Sequence, residues 1–145
     1  MGFKAWNIRD LAISLNGIPL DDGGYADDEV MTLEWEDDLF DDYLGADGEV
    51  TRSNNNDFRA TVTLRYAQTA GANDRLSALV QTDLAAPNGA GAGVFQARDK
   101  QGRLVVLSER AWVMAFTPIK AGKKVQANEW KIRLANGKPS FLGGR

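Results

Sequence analysis

A chain of 145 residues has the length of one ordinary domain and can bury a core without cross-links. It contains no cysteine and no histidine, which excludes disulfides, thiolate metal sites, zinc centres of the usual kind, histidine-based triads and a histidine proton shuttle. A formal net charge of −3 and a pI near 5.0 argue against a general nucleic-acid binder, because phosphate contacts need a basic surface.

That near-neutral total conceals a polarised chain. No lysine or arginine lies between Asp10 and Arg52, where fourteen acidic residues stand, thirteen of them from Asp21 to Glu49. Residues 52–145 carry fifteen Lys and Arg against six Asp and Glu. Such polarity suits copies that meet head to tail, with a solvated acidic loop as the plainer alternative. Met1 to Arg9 holds no apolar h-region, and no apolar run approaches a membrane span, so the expectation is a soluble chain without an export signal or membrane anchor.

In chain order, Leu11 to Leu15 alternates large and small apolar residues and ends at Asn16-Gly17, which predicts a strand, a turn and a second short extended piece at Ile18-Pro19-Leu20. Asp21 to Asp28 reads as an exposed acidic loop. Val30 to Glu36 alternates Met31, Leu33 and Trp35 with Thr32, Glu34 and Glu36, and Phe58 to Tyr66 alternates apolar residues with Arg59, Thr61, Thr63 and Arg65. One strand lined by glutamate and one by arginine predict an antiparallel pair with opposite charges across the rungs.

Between these strands, Asp37 to Asp57 is longer than an ordinary hairpin connection. Its apolar Leu39, Phe40, Tyr43 and Leu44 argue against simple disorder and for an arm that docks on another surface, with folding back onto its own core as the alternative. Asn73 or Asp74 is expected to cap a helix through Leu76, Leu79 and Val80 to about Leu84, stopped by Pro87. Residues 88–93 alternate glycine with alanine but lack the Lys-Ser/Thr of a phosphate loop. Val94 to Asp99, a turn at Lys100-Gln101-Gly102 and Leu104 to Leu107 form a hairpin candidate. Strands at Ala111 to Phe116 and Glu129 to Leu134 follow, joined by a loop with Lys120, Lys123 and Lys124. The expected class is mainly β, an antiparallel sandwich or partly closed barrel with one helix, in a single domain spanning residues 1–145.

Paired carboxylates abound, but a two-carboxylate hydrolase needs one shielded acid and one ionised partner, and crowding alone provides no such division. Asp47-Gly48-Glu49 looks like a piece of a calcium loop, yet Gly45 and Tyr43 stand where oxygen ligands are required. Trp35, Trp112 and Trp130 fall on the apolar side of alternating strands, where core packing explains them, and Trp6 is left unplaced. No active site, metal site or cofactor is indicated.

The segment Gly45-Ala46-Asp47-Gly48-Glu49-Val50-Thr51-Arg52-Ser53, with Asn54-Asn55 and the Thr-rich strand after it, resembles the tail tube proteins of contractile-tailed phages. Asn73-Asp74-Arg75-Leu76-Ser77-Ala78-Leu79 is similar to that family's single helix, and Glu109-Arg110-Ala111-Trp112 with Glu129-Trp130-Lys131-Ile132-Arg133 to its closing strands. The resemblance covers roughly residues 8 to 143, and the acidic Asp37 to Asp42 run departs from the family pattern.

The resemblance, which extends to the inner-tube proteins of type VI secretion systems, implies a non-enzymatic virion protein assembled in the host cytoplasm. Its partners would be itself, in hexameric rings stacked as a tube, together with tail sheath, baseplate and tail terminator proteins, and tape measure protein and DNA in the lumen. On that reading Thr32, Glu34, Glu36, Arg59, Thr61, Thr63 and Arg65 face the lumen. Asp37, Asp38, Phe40, Asp41, Asp42, Tyr43, Leu44, Asp47, Glu49 and Arg52 form an arm between subunits or rings, with Arg103, Lys120, Lys123 and Lys124 as its acceptors. A terminator or adaptor ring of the same fold, a carboxylate-based glycan hydrolase and a single-strand binder are the rival readings.

Overall fold

The computed structural model describes residues 11–21, 25, 30–85, 89, 91–99 and 104–141 and, of 104, 105 and 138–141, the backbone. The elements are β1 (Leu11–Leu15), β2 (Ile18–Pro19), β3 (Met31–Trp35), β4 (Phe40–Leu44), β5 (Val50–Asn54), β6 (Ala60–Ala67), α1 (Ala72–Ala85), β7 (Gly93–Asp99), β8 (Leu104–Val113), β9 (Ala127–Leu134) and β10 (Lys138–Phe141). An eight-stranded antiparallel sheet runs β2-β1-β7-β8-β9-β6-β3, with β10 beside β8, and β4 with β5 makes a separate two-stranded sheet.

Period-two alternation builds the core. Leu11, Ile13 and Leu15 of β1, Ala60, Val62, Leu64 and Tyr66 of β6, and Trp130, Ile132 and Leu134 of β9 are all buried in one cluster with Leu76, Leu79 and Val80 of α1. Asn16 and Gly17, at φ 53 and 77, form the left-handed pair that a tight two-residue hairpin requires between β1 and β2. The sheet curls on itself. The Tyr66 hydroxyl, buried on β6, donates to the Leu20 carbonyl just beyond β2 at 2.7 Å, and the Tyr25 ring stacks on Tyr66 at 5.6 Å. The described β2 and β3 do not pair with each other, so the curl does not close into a barrel.

Several expectations change. The two strands expected at Leu104–Leu107 and Ala111–Phe116 are one strand, β8, which ends at Val113. A register irregularity between Gly93 and Phe95 of β7 absorbs the extra residue opposite Ser108 to Ala111, and the Ser108 hydroxyl donates to the Arg110 carbonyl at 3.1 Å. Along its other edge β8 pairs first with β10 and then with β9, so it links the two halves of the curl. Trp112 alternates with buried Ala111 and Val113 and therefore turns outward, paired in register with Arg133, not inward as expected.

Helix α1 begins one residue before the expected caps. The Gly71 carbonyl accepts from the Asp74 and Arg75 amides at 3.1 and 3.4 Å. Asn73 acts as a tether instead of a cap. Its side-chain amide donates to the carbonyls of Ala67, Gln68 and Ala70, while its oxygen accepts the Trp130 indole N–H at 2.9 Å. Most of the Asp21 to Asp28 segment, the 100–102 turn, Trp6 and Arg103 lie outside the described residues.

Candidate functional site

Two surfaces stand out, and the first is the polar face shared by β3, β6 and β9. Register aligns Glu34, Thr61 and Arg133 in one row, Thr32, Thr63 and Lys131 in the next, and Arg65 beside Glu129 in a third. These strands pair because one side of each is apolar, and the same alternation necessarily collects their polar residues on the other side. Thr32, Glu34, Glu36, Thr61, Thr63, Arg65, Glu129 and Lys131 line an open recess of about 490 Å³ together with Trp35, which is exposed and not packed in the core as expected. Arg59 precedes β6 and lies at its exposed end, outside that lining.

The charge partners differ from those expected. Glu34 sits opposite Thr61, not an arginine. Glu36 reaches across β6 to β9, where its carboxylate lies 2.7 Å from Arg133, and it also accepts from the Thr61 hydroxyl at 3.1 Å. The Thr61 hydrogen bond, then Arg133, hold the Glu36 carboxyl below its ordinary value. Arg65 pairs with Glu129 at 3.5 Å. Arg59 folds onto Asp57, with Nε and Nη2 donating to the two carboxylate oxygens at 3.0 and 2.9 Å, and this holds Asp57 down at about 2 and raises Arg59. Arg65 thus pairs with the residue opposite it in the register, whereas the Glu36–Arg133 pair reaches past the adjacent strand. The third strand of the face, with Glu129, Lys131 and Arg133, was signalled by the alternation of β9 but not grouped with the other two from sequence.

The second surface is the arm. Asp37 to Asp57 is a hairpin, not a loop: β4 and β5 pair from Phe40↔Asn54 to Leu44↔Val50, and every one of their residues is exposed. The Gly45 carbonyl accepts from Gly48 N–H at 2.9 Å, Gly45 N–H donates to the Glu49 carbonyl at 2.8 Å, and Gly48 has φ 88, a turn that closes through a left-handed glycine. Asp47 accepts the Glu49 amide at 3.1 Å, so the residues that looked like a calcium fragment are the hairpin turn. Among the described residues no group of three or more carboxylates is placed to hold a metal.

One face of the hairpin carries Phe40, Asp42 and Leu44 against Asn54, Arg52 and Val50, and the Arg52 guanidinium lies 4.3 Å over the Phe40 ring. Tyr43, Leu44 and Val50 are 72%, 69% and 62% exposed. The root is firm: Asn55 donates to the Leu39 and Asp38 carbonyls at 3.0 and 2.7 Å, and Trp35 Nε1 donates to the Gly137 carbonyl at 2.8 Å. Of the expected acceptors, Lys120, Lys123 and Lys124 are exposed on the segment between β8 and β9. No described helix is long and apolar enough to cross a membrane.

No family model matches this chain. Its sequence is 28% identical over 113 residues to a protein of Pseudomonas phage KPP10 described as structural protein ORF10, covering 78% of this chain and 65% of that protein. The fold is similar to the sheath/tube terminator of an extracellular contractile injection system, PVC, with a TM-score of 0.64 at 8% identity over 94% of this chain and 96% of the other. It is also similar to a chain of the tail of an empty gene transfer agent particle refined with C6 symmetry, with a TM-score of 0.62 at 15% identity over 96% and 100% of the two chains. The mainly antiparallel β architecture with its single described helix is thus similar to the folds of that terminator chain and that tail chain.

Proposed function

We propose that this chain is a structural subunit of a phage-type tail, forming hexameric rings that stack into an inner tube through which DNA passes. The observation that carries this reading is the polar face of β3, β6 and β9, built on a fold shared along almost the whole chain with tail subunits. Its anions Glu34, Glu36 and Glu129 are balanced by Arg65, Lys131 and the adjoining Arg133, and Arg59 at the end of the face is neutralised by Asp57. Facing a lumen, such a wall is wetted by water without gripping phosphates, since net positive charge is what binds a DNA backbone.

Ring formation would also cover the edge of β3, whose Met31 and Leu33 are only partly buried. The C6 symmetry of the similar gene transfer agent tail supports a ring of six. Sheath, baseplate, terminator and tape measure proteins would be the partners in the virion, and the role is architectural, not enzymatic.

The second reading is a terminator ring that caps a tube, supported by the fold shared with the PVC sheath/tube terminator. Negative-stain electron microscopy of the purified chain across a concentration and salt series separates the two. Stacked rings or tubes support the tube subunit, isolated rings that never stack support the terminator, and a monomer throughout counts against both.

A further inference from the structure

Three asparagines precede a glycine in this chain, at Asn16-Gly17, Asn88-Gly89 and Asn136-Gly137. Asparagine is a thermally labile residue, and before glycine its side chain meets an amide nitrogen that no neighbouring Cβ shields. Asn88 lies outside the described residues, and the other two pairs stand in opposite surroundings.

Asn136 is exposed, but Gly137 is buried. The Gly137 N–H donates to the Phe58 carbonyl at 2.8 Å, and the Gly137 carbonyl accepts the Trp35 indole N–H at 2.8 Å. Attack by this nitrogen first requires a buried hydrogen bond to open. Asn16 and Gly17 are both exposed, at the tip of the tight turn that pairs Leu15 with Ile18. Among the described residues no acceptor is placed for the Gly17 N–H. The Asn16 N–H donates to the Val94 carbonyl at 2.9 Å, and its side chain rests against Gly93, where a Cβ would collide with it. Reaction at Asn16 therefore needs an exposed side chain to lift off β7, whereas reaction at Asn136 needs a buried backbone amide to leave its acceptor.

We propose that Asn16 is a site of spontaneous deamidation through a cyclic imide. The Gly17 nitrogen loses its proton and bonds to Asn16 Cγ, the bond from Cγ to the side-chain nitrogen breaks, and ammonia leaves. Water then opens the ring at either carbonyl, giving aspartate or isoaspartate and a new negative charge. Neither a ring nor a tube is needed for this chemistry.

The position of the turn gives the modification a structural effect. Isoaspartate carries the main chain through Cβ, and the extra backbone atom does not fit the two-residue turn that sets the Leu15–Ile18 register. Just beyond that turn is Leu20, fully buried, whose N–H donates to the Ile13 carbonyl at 2.8 Å and whose carbonyl accepts the Tyr66 hydroxyl at 2.7 Å. The Tyr66 bond joins the β2 end of the sheet to β6, so an isoaspartyl turn loosens the curl at that junction. Aspartate at the same position adds charge without an extra backbone atom and leaves the register intact.

Trypsin places each pair on its own peptide. No lysine or arginine lies between Asp10 and Arg52, so Asn16 falls within residues 10–52, Asn88 within 76–98 and, because trypsin does not cut before Pro139, Asn136 within 134–145. The purified full chain is incubated in mildly alkaline buffer well below its unfolding temperature, and the peptides are followed by mass spectrometry. Asn16 is expected to convert at least about tenfold faster than Asn136, and in urea, where the hydrogen bonds of Gly137 are gone, the two rates are expected to converge. An isoaspartyl methyltransferase is expected to label the 10–52 peptide. Isoaspartyl chains are expected to exchange the Ile18 and Leu20 amide hydrogens faster than the unmodified chain, and the Asn16→Asp chain to exchange them at the unmodified rate. Equal conversion of Asn16 and Asn136 in the folded chain, or conversion of Asn16 without isoaspartate, would overturn the modification site. Isoaspartyl chains with unchanged Leu20 exchange would overturn its effect on the curl.

Discussion

Arg133 Nη1 lies 2.7 Å from Glu36 Oε1, so β9 holds the chain just beyond β3 by reaching across the whole width of β6. The Thr61 hydroxyl, on the strand between them, donates to the same carboxylate oxygen at 3.1 Å. One side-chain cluster therefore fixes three strands where the hairpin leaves the body. Since Glu36 is held below its ordinary value of 4.5, the folded state favours its carboxylate more than the unfolded chain does. Its contribution to stability is present above 4.5 and is lost as pH falls through the lowered folded value. Thr61→Val and Arg133→Ala are each expected to move the Glu36 titration upward toward 4.5, measured by NMR of the side-chain carboxyl. A midpoint that does not move in either variant would rule this cluster out as the cause.

Asp57 and Arg59 form a second pair at the hairpin root, with Asp57 held at about 2 against an ordinary value of 3.8. Its contribution is complete above 3.8 and disappears as pH drops through about 2. Arg59→Ala should raise the Asp57 midpoint part of the way toward 3.8, because the backbone N–H of residue 59 still donates to Asp57 at 3.1 Å. Acid titration followed by carboxyl NMR checks this, and an Asp57 midpoint still near 2 in that variant would show that the arginine is not responsible.

Asn73 ties the start of α1 to the end of β6 and to Trp130 through four hydrogen bonds. Asn73→Ala leaves the buried Trp130 indole N–H without this acceptor and is expected to cost about 2 kcal/mol. Thermal and urea unfolding measure the loss, and a change below about 0.5 kcal/mol would mean that water replaces the amide fully.

Gly137 is buried between β9 and β10, and a Cβ there would meet the Ala60 Cβ at 2.8 Å. Gly137→Ala is expected to destabilise by about 1 to 3 kcal/mol through overpacking. It should also speed hydrogen exchange at the Trp35 indole, because that N–H donates to the Gly137 carbonyl and the Gly137 amide donates to Phe58, both at 2.8 Å. Destabilisation with unchanged Trp35 exchange would separate the packing effect from the hairpin root.

On the tube reading, Glu34→Lys with Glu36→Lys changes the polar face from three anions and three cations to one anion and five cations. Assembly is expected to survive and DNA exit to slow, because phosphates then meet net positive charge. Ejection kinetics in particles carrying both substitutions provide the measurement, and an unchanged rate would remove electrostatics from the role of this face.

Much of the architecture was legible because it is written in local periodicity. Alternation across Leu11–Leu15, Phe58–Tyr66 and Glu129–Leu134 marks strands whose buried and exposed sides match the structure, whereas in Val30–Glu36 it marks the strand but not its burial, since Met31 and Leu33 are only partly buried and Trp35 is exposed, and Asn16-Gly17 marks the first turn. Absence of cysteine and histidine excluded whole classes of chemistry from composition alone. The acidic run from Asp21 to Glu49 likewise marked an unusual surface before any fold was known.

Only the tertiary structure decided how these pieces combine. Period-two patterning states which side of a strand is polar but not which strand lies next to it, so the placement of β9 beside β6 and the Glu36–Arg133 pair across it had no signal in either segment alone. The hairpin within Asp37–Asp57 was obscured because both strands are fully exposed and carry no apolar alternation toward a core. The opposite placement of that hairpin and the 114–126 segment between β8 and β9 is set by the direction in which β6 runs between them, a relation among residues dozens of positions apart. Local steric and solvation preferences determine the elements, whereas strand neighbours, ion pairs and the ends from which surfaces project follow from one shared burial of all the apolar sides at once.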